Sequence, residues 1–362
     1  MTRSERVQAA ETETDAGAPW NVASVDLEPG TANQNASVTE LPLKEYLHSR
    51  KRLNCEKIYF PLGYPVRVVC NSHRVLEAAD QSWGHFQAKF HGEPLEFQLE
   101  VRSGAEPNEG FPPTPAHMLH GSLLLEIADT DNFFIADLKR GRAMGRVTPA
   151  AVAGARYLRY FFLEAAALCM ISTTRAVAVH AACMQTGGKG VLLCGDSGEG
   201  KSTLAYAGAR AGWTYVSDDA TYIPMDRDDR LAMGNCTKIR FRPSGAVLFP
   251  ELAGRPVTPR AAGKPSIEVQ TSEWPELKTA NSTQVDHIVF LNRRYADTQE
   301  LVSLRTSTVL PWFTQHLISP PEKRPAQEAT LSRLLSAEVF EIRYRDLGWA
   351  IDRINELARK GN

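Results

Sequence analysis

The pattern of apolar and polar positions divides the chain into four stretches. Residues 1–42 mix Thr, Glu, Ala, Asn and Gly with no sustained period, too little apolar surface to offset the entropy of ordering, so a disordered tail is expected there. From 43 to 147 short runs at Lys57–Phe60, Val66–Cys70, Leu95–Val101, Ser122–Ala128 and Asn132–Leu138 predict strands. Between the second and third, Ser72 is placed to cap a helix reaching about Phe86, with Val75, Leu76, Ala79 and Trp83 on one face. Together these make a small α+β domain. Residues 148–175 read as one connecting helix opened by Thr148 as N-cap and Pro149 as first helical residue. Its stripe of Tyr157, Tyr160, Phe161, Ala165 and Leu168 is expected to pack, with no ligand role.

The fourth stretch, 176–362, alternates strand and helix patterns, the mark of an α/β domain. A strand is expected over Ala176–Met184, a buried strand at Val191–Cys194, and a helix over Ser202–Ala211 ended by Gly212. Strands at Trp213–Ser217, Lys238–Arg242, Ile288–Leu291 and Val339–Tyr344 follow, with a helix at Ala329–Leu335. Asp346 is placed to cap a last helix with Leu347, Ala350, Ile351, Ile354 and Leu357 on one face. Val247, Leu248, Phe249 and Leu252 form an apolar cluster, and the Pro/Gly-rich run Gly254–Pro265 predicts a mobile loop.

Composition narrows the function classes. The formal net charge is -1, so no basic field points to nucleic acid. The one long apolar stretch, Ala150–Ser172, is broken by Arg156, Arg159 and Glu164, which argues for an amphipathic helix and against a membrane span. Six cysteines without C-x-x-C spacing read as reduced core residues, and the N-terminus lacks the apolar core of a secretory leader, so a cytoplasmic chain is expected.

The chemistry concentrates between Gly188 and Asp219. Gly195, Gly200, Lys201 and Ser202 satisfy G-x-x-x-x-G-K-[ST], with the strand before and the helix after that such a loop requires. Glycines let successive main-chain N–H groups turn toward phosphate oxygens, the lysine adds a charge, and the serine hydroxyl can coordinate magnesium. The loop Gly195, Asp196, Ser197, Gly198, Glu199, Gly200, Lys201, Ser202 and Thr203 is therefore expected to bind the nucleotide. The strand after the helix delivers Asp218 and Asp219, which suit magnesium binding and deprotonation of an attacking hydroxyl. Either aspartate fits either task. Lys238, Arg240 and Arg242 share one strand face and either meet water or stabilise transferred phosphate, Arg240 ahead of Arg242.

With His180, Gly188, Gly190, Val191, Leu192, Leu193, Gly195, Ser197, Gly198, Gly200, Lys201, Ser202, Asp218 and Asp219 in this order, the segment His180–Asp219 resembles the catalytic domain of HPr kinase/phosphorylase and its serine-kinase relatives. Thr203 stands where that family has glutamate, and Lys238–Arg242 meets its downstream signature without the glutamate or glycine. The upstream domain does not resemble that of HPr kinase. The resemblance implies a P-loop kinase domain of the HPr kinase/PEP carboxykinase-like type, and brings His180 into the catalytic set beside the aspartates. The expected activity is a phosphotransferase reaction using ATP and Mg2+, with a hydroxyl acceptor, read as serine in a protein, a peptide or a small molecule. A nucleotide-hydrolysing switch and a nucleotide sensor without chemistry are the alternatives. No nucleic-acid or membrane partner is expected, and self-association is left open.

Overall fold

The structure, a computed structural model, describes residues 53–102, 111–259, 265–293, 298–315, 317 and 320–360. The tail expected over 1–42 and the tip of the Gly254–Pro265 loop lie outside the described residues. Among the described residues the fold is mixed α/β with three sheets.

The first sheet has seven strands in the order β1-β2-β3-β7-β6-β5-β4. β1 (Cys55–Tyr59) and β2 (Val66–Cys70) pair antiparallel, and helix α1 (His73–Trp83) carries the chain across to β3 (Leu95–Val101), parallel to β2. β4 (Ala116–His120), β5 (Leu123–Ile127), β6 (Phe133–Asp137) and β7 (Arg142–Val147) form a meander that docks β7 parallel to β3. Val75, Ala79 and Trp83 of α1 are buried as their spacing predicts. The helix stops at Gly84, short of Phe86, and Ser72 stands at its N-cap without a side-chain capping bond.

Thr148 does cap. Its hydroxyl accepts the Ala151 N–H at 3.3 Å, and Pro149 opens α2 (Pro149–Ala153). The single connecting helix expected over 148–175 is interrupted, however: α2 ends at Gly154, and α3 (Ala155–Tyr157) runs into a π-helical stretch, Leu158–Glu164, before α4 (Ala165–Thr174). The wider turn changes which residues face inward. Leu158, Phe162 and Leu163 are fully buried in the core of the first sheet, whereas Tyr160 and Glu164 line a cavity on another side. Tyr222, Leu231 and Met233, from far downstream, complete that same core.

The second sheet has ten strands. Eight run β17-β11-β9-β10-β18-β13-β12-β8, where β8 is Ala176–Val179, β9 Ala182–Thr186, β10 Lys189–Cys194, β11 Thr214–Ser217, β12 Thr221–Pro224, β13 Leu231–Met233, β17 Lys278–Thr279 and β18 Ser282–Asn292. β18 forks the sheet: β13 pairs with Ser282–Gln284, while β20 (Glu338–Arg343) lies parallel to His287–Asn292 and carries β19 (Glu300–Ser303) on its outer edge. Helices α5 (Lys201–Arg210), α6 (Thr306–Thr314), α7 (Arg324–Leu334) and α8 (Leu347–Lys360) cover this sheet, and Asp346 caps α8 by accepting the Trp349 N–H at 2.7 Å. A small third sheet, β14-β16-β15, joins β14 (Lys238–Phe241), β15 (Val257–Pro259) and β16 (Pro265–Gln270).

Two expectations need correction here. The strand over Ala176–Met184 is not continuous: the Ala181 N–H donates to the Val179 carbonyl at 2.9 Å, a three-residue turn centred on His180, so β8 joins β12 while β9 joins β10 and β11. The apolar cluster also splits. Phe249 and Leu252 are buried, but Val247 and Leu248 are exposed on a short 3-10 turn.

Candidate active site

The site begins with a hairpin. Gly187 and Gly188 hold φ angles of 58° and 80°, the two left-handed positions of a type I′ turn, and this sets β9 antiparallel against β10. Val191, Leu192, Leu193 and Cys194 are wholly buried between β9 and β18, which fixes where β10 ends and the glycine-rich loop begins. Gly195 and Gly200 take φ of 142° and 92°, and a Cβ on them would stand 3.1 Å from the Leu291 carbonyl and 3.2 Å from the Tyr344 hydroxyl. Lys201, the first residue of α5, is buried, and its ammonium donates to the Gly195 and Asp196 carbonyls at 2.7 and 3.0 Å. Burial pushes its pKa down, with Asp219 first among the charges that oppose the shift. A glycine-rich loop, an ammonium and a helix N-terminus thus meet at one point, an arrangement chemically suited to an anion.

Not every loop residue turns its side chain to that point. The Glu199 carboxylate accepts the Arg293 N–H at 2.8 Å, and Asp196 Oδ1 accepts from the Trp312 indole at 3.4 Å. Those side chains fasten the loop to the end of β18 and to α6. Ser197, Gly198 and Thr203 are half-buried or exposed.

Asp218 and Asp219 follow β11 and stand beside the loop although β9 separates β11 from β10, because α5 crosses over that strand. The Ser202 hydroxyl donates to the Asp218 carbonyl at 3.3 Å, and Asp218 Oδ2 accepts the Arg240 N–H at 2.7 Å. His180 Nδ1 lies 3.1 Å from the Asp219 carbonyl and 3.4 Å from its Oδ1. Thr221 ties the two turns together: its hydroxyl donates to the Ala181 carbonyl at 2.9 Å and contacts the Ser217 hydroxyl at 2.7 Å. The break in the β8–β9 strand thus places the imidazole against the aspartate.

Beyond the aspartates lies a cavity of about 110 Å³. Asp218, Asp219 and Arg240 line it, while Lys201, Ser202 and His180 meet the aspartates from outside the lining. Its other walls are Trp83 and Phe86 around α1, Tyr160, Glu164 and Leu168 of the interrupted helix, and Lys238 and Glu268 of the third sheet. Arg240 Nε donates to Glu268 at 3.0 Å, the Tyr160 hydroxyl donates to the same carboxylate, and both Lys238 and Arg240 lie over the Tyr160 ring, 4.8 and 5.5 Å from its centre. Burial raises the Glu268 pKa, but Arg240 and then Lys238 outweigh it and hold it at about 2. Of the three cations expected on one strand face, Arg242 meets solvent and the other two face the cavity.

Sequence reading missed Tyr160, Glu164 and Glu268. α-Helical spacing assigns Tyr160 to packing, and the one local signal for Glu268 is its place between the buried Ile267 and Val269.

The fold is mixed α/β, and the glycine-rich loop, the aspartate turn and the cavity stand side by side. No protein-family model matches the chain, and no curated protein matches it. Among solved structures it is similar to the HPr(Ser) kinase/phosphatase from Coxiella burnetii at 15% identity, over 51% of this chain and 93% of that one, with a TM-score of 0.30. A likeness of that size says nothing about what this chain binds.

Proposed function

We propose that the chain is an ATP- and Mg2+-dependent kinase that phosphorylates a hydroxyl group, with a P-loop domain running from 176 to 362. One observation carries the reading: the Asp218–Asp219 turn separates the glycine-rich loop from the cavity and touches both. Gly195–Thr203 would hold the triphosphate through main-chain donors, with Lys201 leaving its two carbonyls for phosphate oxygens. Magnesium fits Ser202 and Asp218. Magnesium takes few protein ligands and completes its shell with phosphates and water. When bound, it neutralises phosphate charge.

Asp219 is then the base. It lines the cavity, pairs with His180 and is the strongest electrostatic partner of Lys201. A hydroxyl in the cavity gives its proton to Asp219 as its oxygen bonds the γ-phosphorus, the bond to the β,γ-bridging oxygen breaks, and ADP leaves. Arg240 carries positive charge toward the same point, though Glu268 already shares it.

The test is turnover with γ-labelled ATP, magnesium and candidate acceptors. Label in an acid-stable phosphoester supports the kinase. Label released to water whatever acceptor is added points to a hydrolase, and tight binding with neither product points to a sensor.

A further inference from the structure

We propose that the cavity is an acceptor site for a small hydroxylated anion, a carboxylate or phosphate monoester, whose charged group meets Lys238 and whose hydroxyl meets Asp219. The proposal rests on the kinase reading above for the reaction and on the cavity alone for the binding.

The charges around the cavity are unevenly paired. Apart from the two aspartates, two cations, Lys238 and Arg240, and two carboxylates, Glu164 and Glu268, line it, and Arg159 reaches Glu164 from outside the lining. Glu268 is matched by Arg240 at 3.0 Å. Glu164 is shared: the Ser82 hydroxyl reaches it at 2.8 Å, Arg159 at 3.4 Å and Lys238 at 3.4 and 3.5 Å. A charge-assisted N–H···O bond is normally about 2.7–2.9 Å long, so Lys238 holds its partner loosely. Yet only 7% of its side chain is exposed, and it borders the cavity. A buried ammonium without a close acceptor is costly, and an anion entering the cavity supplies one.

The rest of the wall fits a small molecule. Trp83, Phe86, Leu62 and Leu168 offer apolar surface for a short carbon skeleton. The lining is drawn from seven separate stretches of chain, between Pro61 and Glu268, gathered around about 110 Å³, a space that admits a compact solute and is too small for a folded partner. With the hydroxyl deprotonated by Asp219, the products are ADP and the phosphorylated anion, and the proton stays on the aspartate until it leaves to solvent.

The experiment uses the full chain and a panel of three- to six-carbon hydroxy acids and phosphorylated alcohols, each beside its uncharged alcohol, with a seryl peptide as comparison. Melting temperature with and without each compound reads binding. Label transfer from ATP reads the reaction. The expected result is that at least one anion raises the melting temperature and is phosphorylated with kcat/KM about 10-fold or more above its uncharged counterpart. Lys238→Met should remove that preference while ATP affinity persists, and Lys238→Arg should restore part of it. Because Glu164 keeps Ser82 and Arg159, the Met variant is expected to fold. If it does not, the Arg variant and the wild-type panel still decide. Binding without transfer of label keeps this site and sinks the kinase reading. Phosphorylation of the seryl peptide while no anion binds or reacts keeps the kinase and overturns this site. If nothing in the panel binds or reacts, or if Lys238→Met leaves the preference for the anion unchanged, the proposal is wrong.

Discussion

Replacing Glu126 by Gln should remove one component of the pH dependence of stability. Glu126 lies on β5 and is 6% exposed. Among the described residues its carboxylate has neither a hydrogen bond nor an ion pair. Burial pushes its pKa up to about 8. The folded state therefore keeps a proton that the unfolded state, with a pKa near 4.5, gives up. As pH rises from about 4.5 toward 8, the unfolded chain gains from ionising and the folded chain does not, so stability falls. One proton of difference costs about 1.4 kcal/mol per pH unit, which reaches about 3 to 4 kcal/mol by pH 7.5. At roughly 2–4 °C per kcal/mol that is about 6–16 °C in melting temperature for two-state unfolding. Gln has the shape of the protonated acid and cannot ionise, so any cost of its amide is constant with pH. Thermal melts of wild type and Glu126→Gln at half-unit steps from pH 5 to 8 should diverge steadily, the variant gaining on wild type as pH rises. Parallel curves would refute the reasoning, because they would mean that the carboxylate ionises in place or is not buried.

Lys201→Ala should weaken ATP binding by about 10- to 100-fold, the worth of a charge-assisted hydrogen bond, and abolish turnover while the far-ultraviolet circular dichroism is kept; equal affinity by calorimetry would remove Lys201 from the site. His180→Ala should bind ATP and magnesium normally yet lose acceptor phosphorylation in a single turnover, and a destabilised but fully active variant would make the histidine a packing residue. Asp219→Asn should lower kcat by roughly 100-fold or more with ATP affinity nearly unchanged, whereas Asp218→Asn should raise the magnesium requirement; two variants within about threefold of wild type would clear both aspartates of chemistry. Glu268, held at about 2, contributes stability above its unfolded pKa that is lost as pH falls from about 4.5 toward 2. Glu268→Gln should accordingly be less stable than wild type at pH 7 and converge with it near pH 2 in urea melts.

The parts legible in the sequence were those governed by neighbours along the chain. The buried run before Gly195, the Thr148 cap and the Asp346 cap all follow from residues within a few positions of one another. What escaped was set by distant partners. β7, Arg-Ala-Met-Gly-Arg-Val, has no apolar alternation strong enough to announce a strand, and forms because β3 and β6 offer it ladders on both sides. Tyr160 belongs to a stripe that α-helical spacing assigns to packing, and the π-helical widening turns it to Glu268, 108 positions away. His180 looked like one residue of an uninterrupted strand. Its turn is held by Thr221 through the Ala181 carbonyl, a contact that no local pattern encodes.

The sharing of the first core with Tyr222, Leu231 and Met233 bears on how such a chain is made and inherited. During synthesis the seven strands of the first sheet emerge well before these three side chains, so that sheet must wait, with apolar surface open, until β12 and β13 have left the ribosome. The same dependence ties the two ends of the gene together. A recombination event that exchanged everything before residue 176 for another module would strip the cover from β12 and β13 and, with α1 and the π-helical stretch, remove two walls of the cavity. Changes in what the cavity admits are therefore expected to arise by substitution within its walls, one side chain at a time, and not by exchange of whole segments.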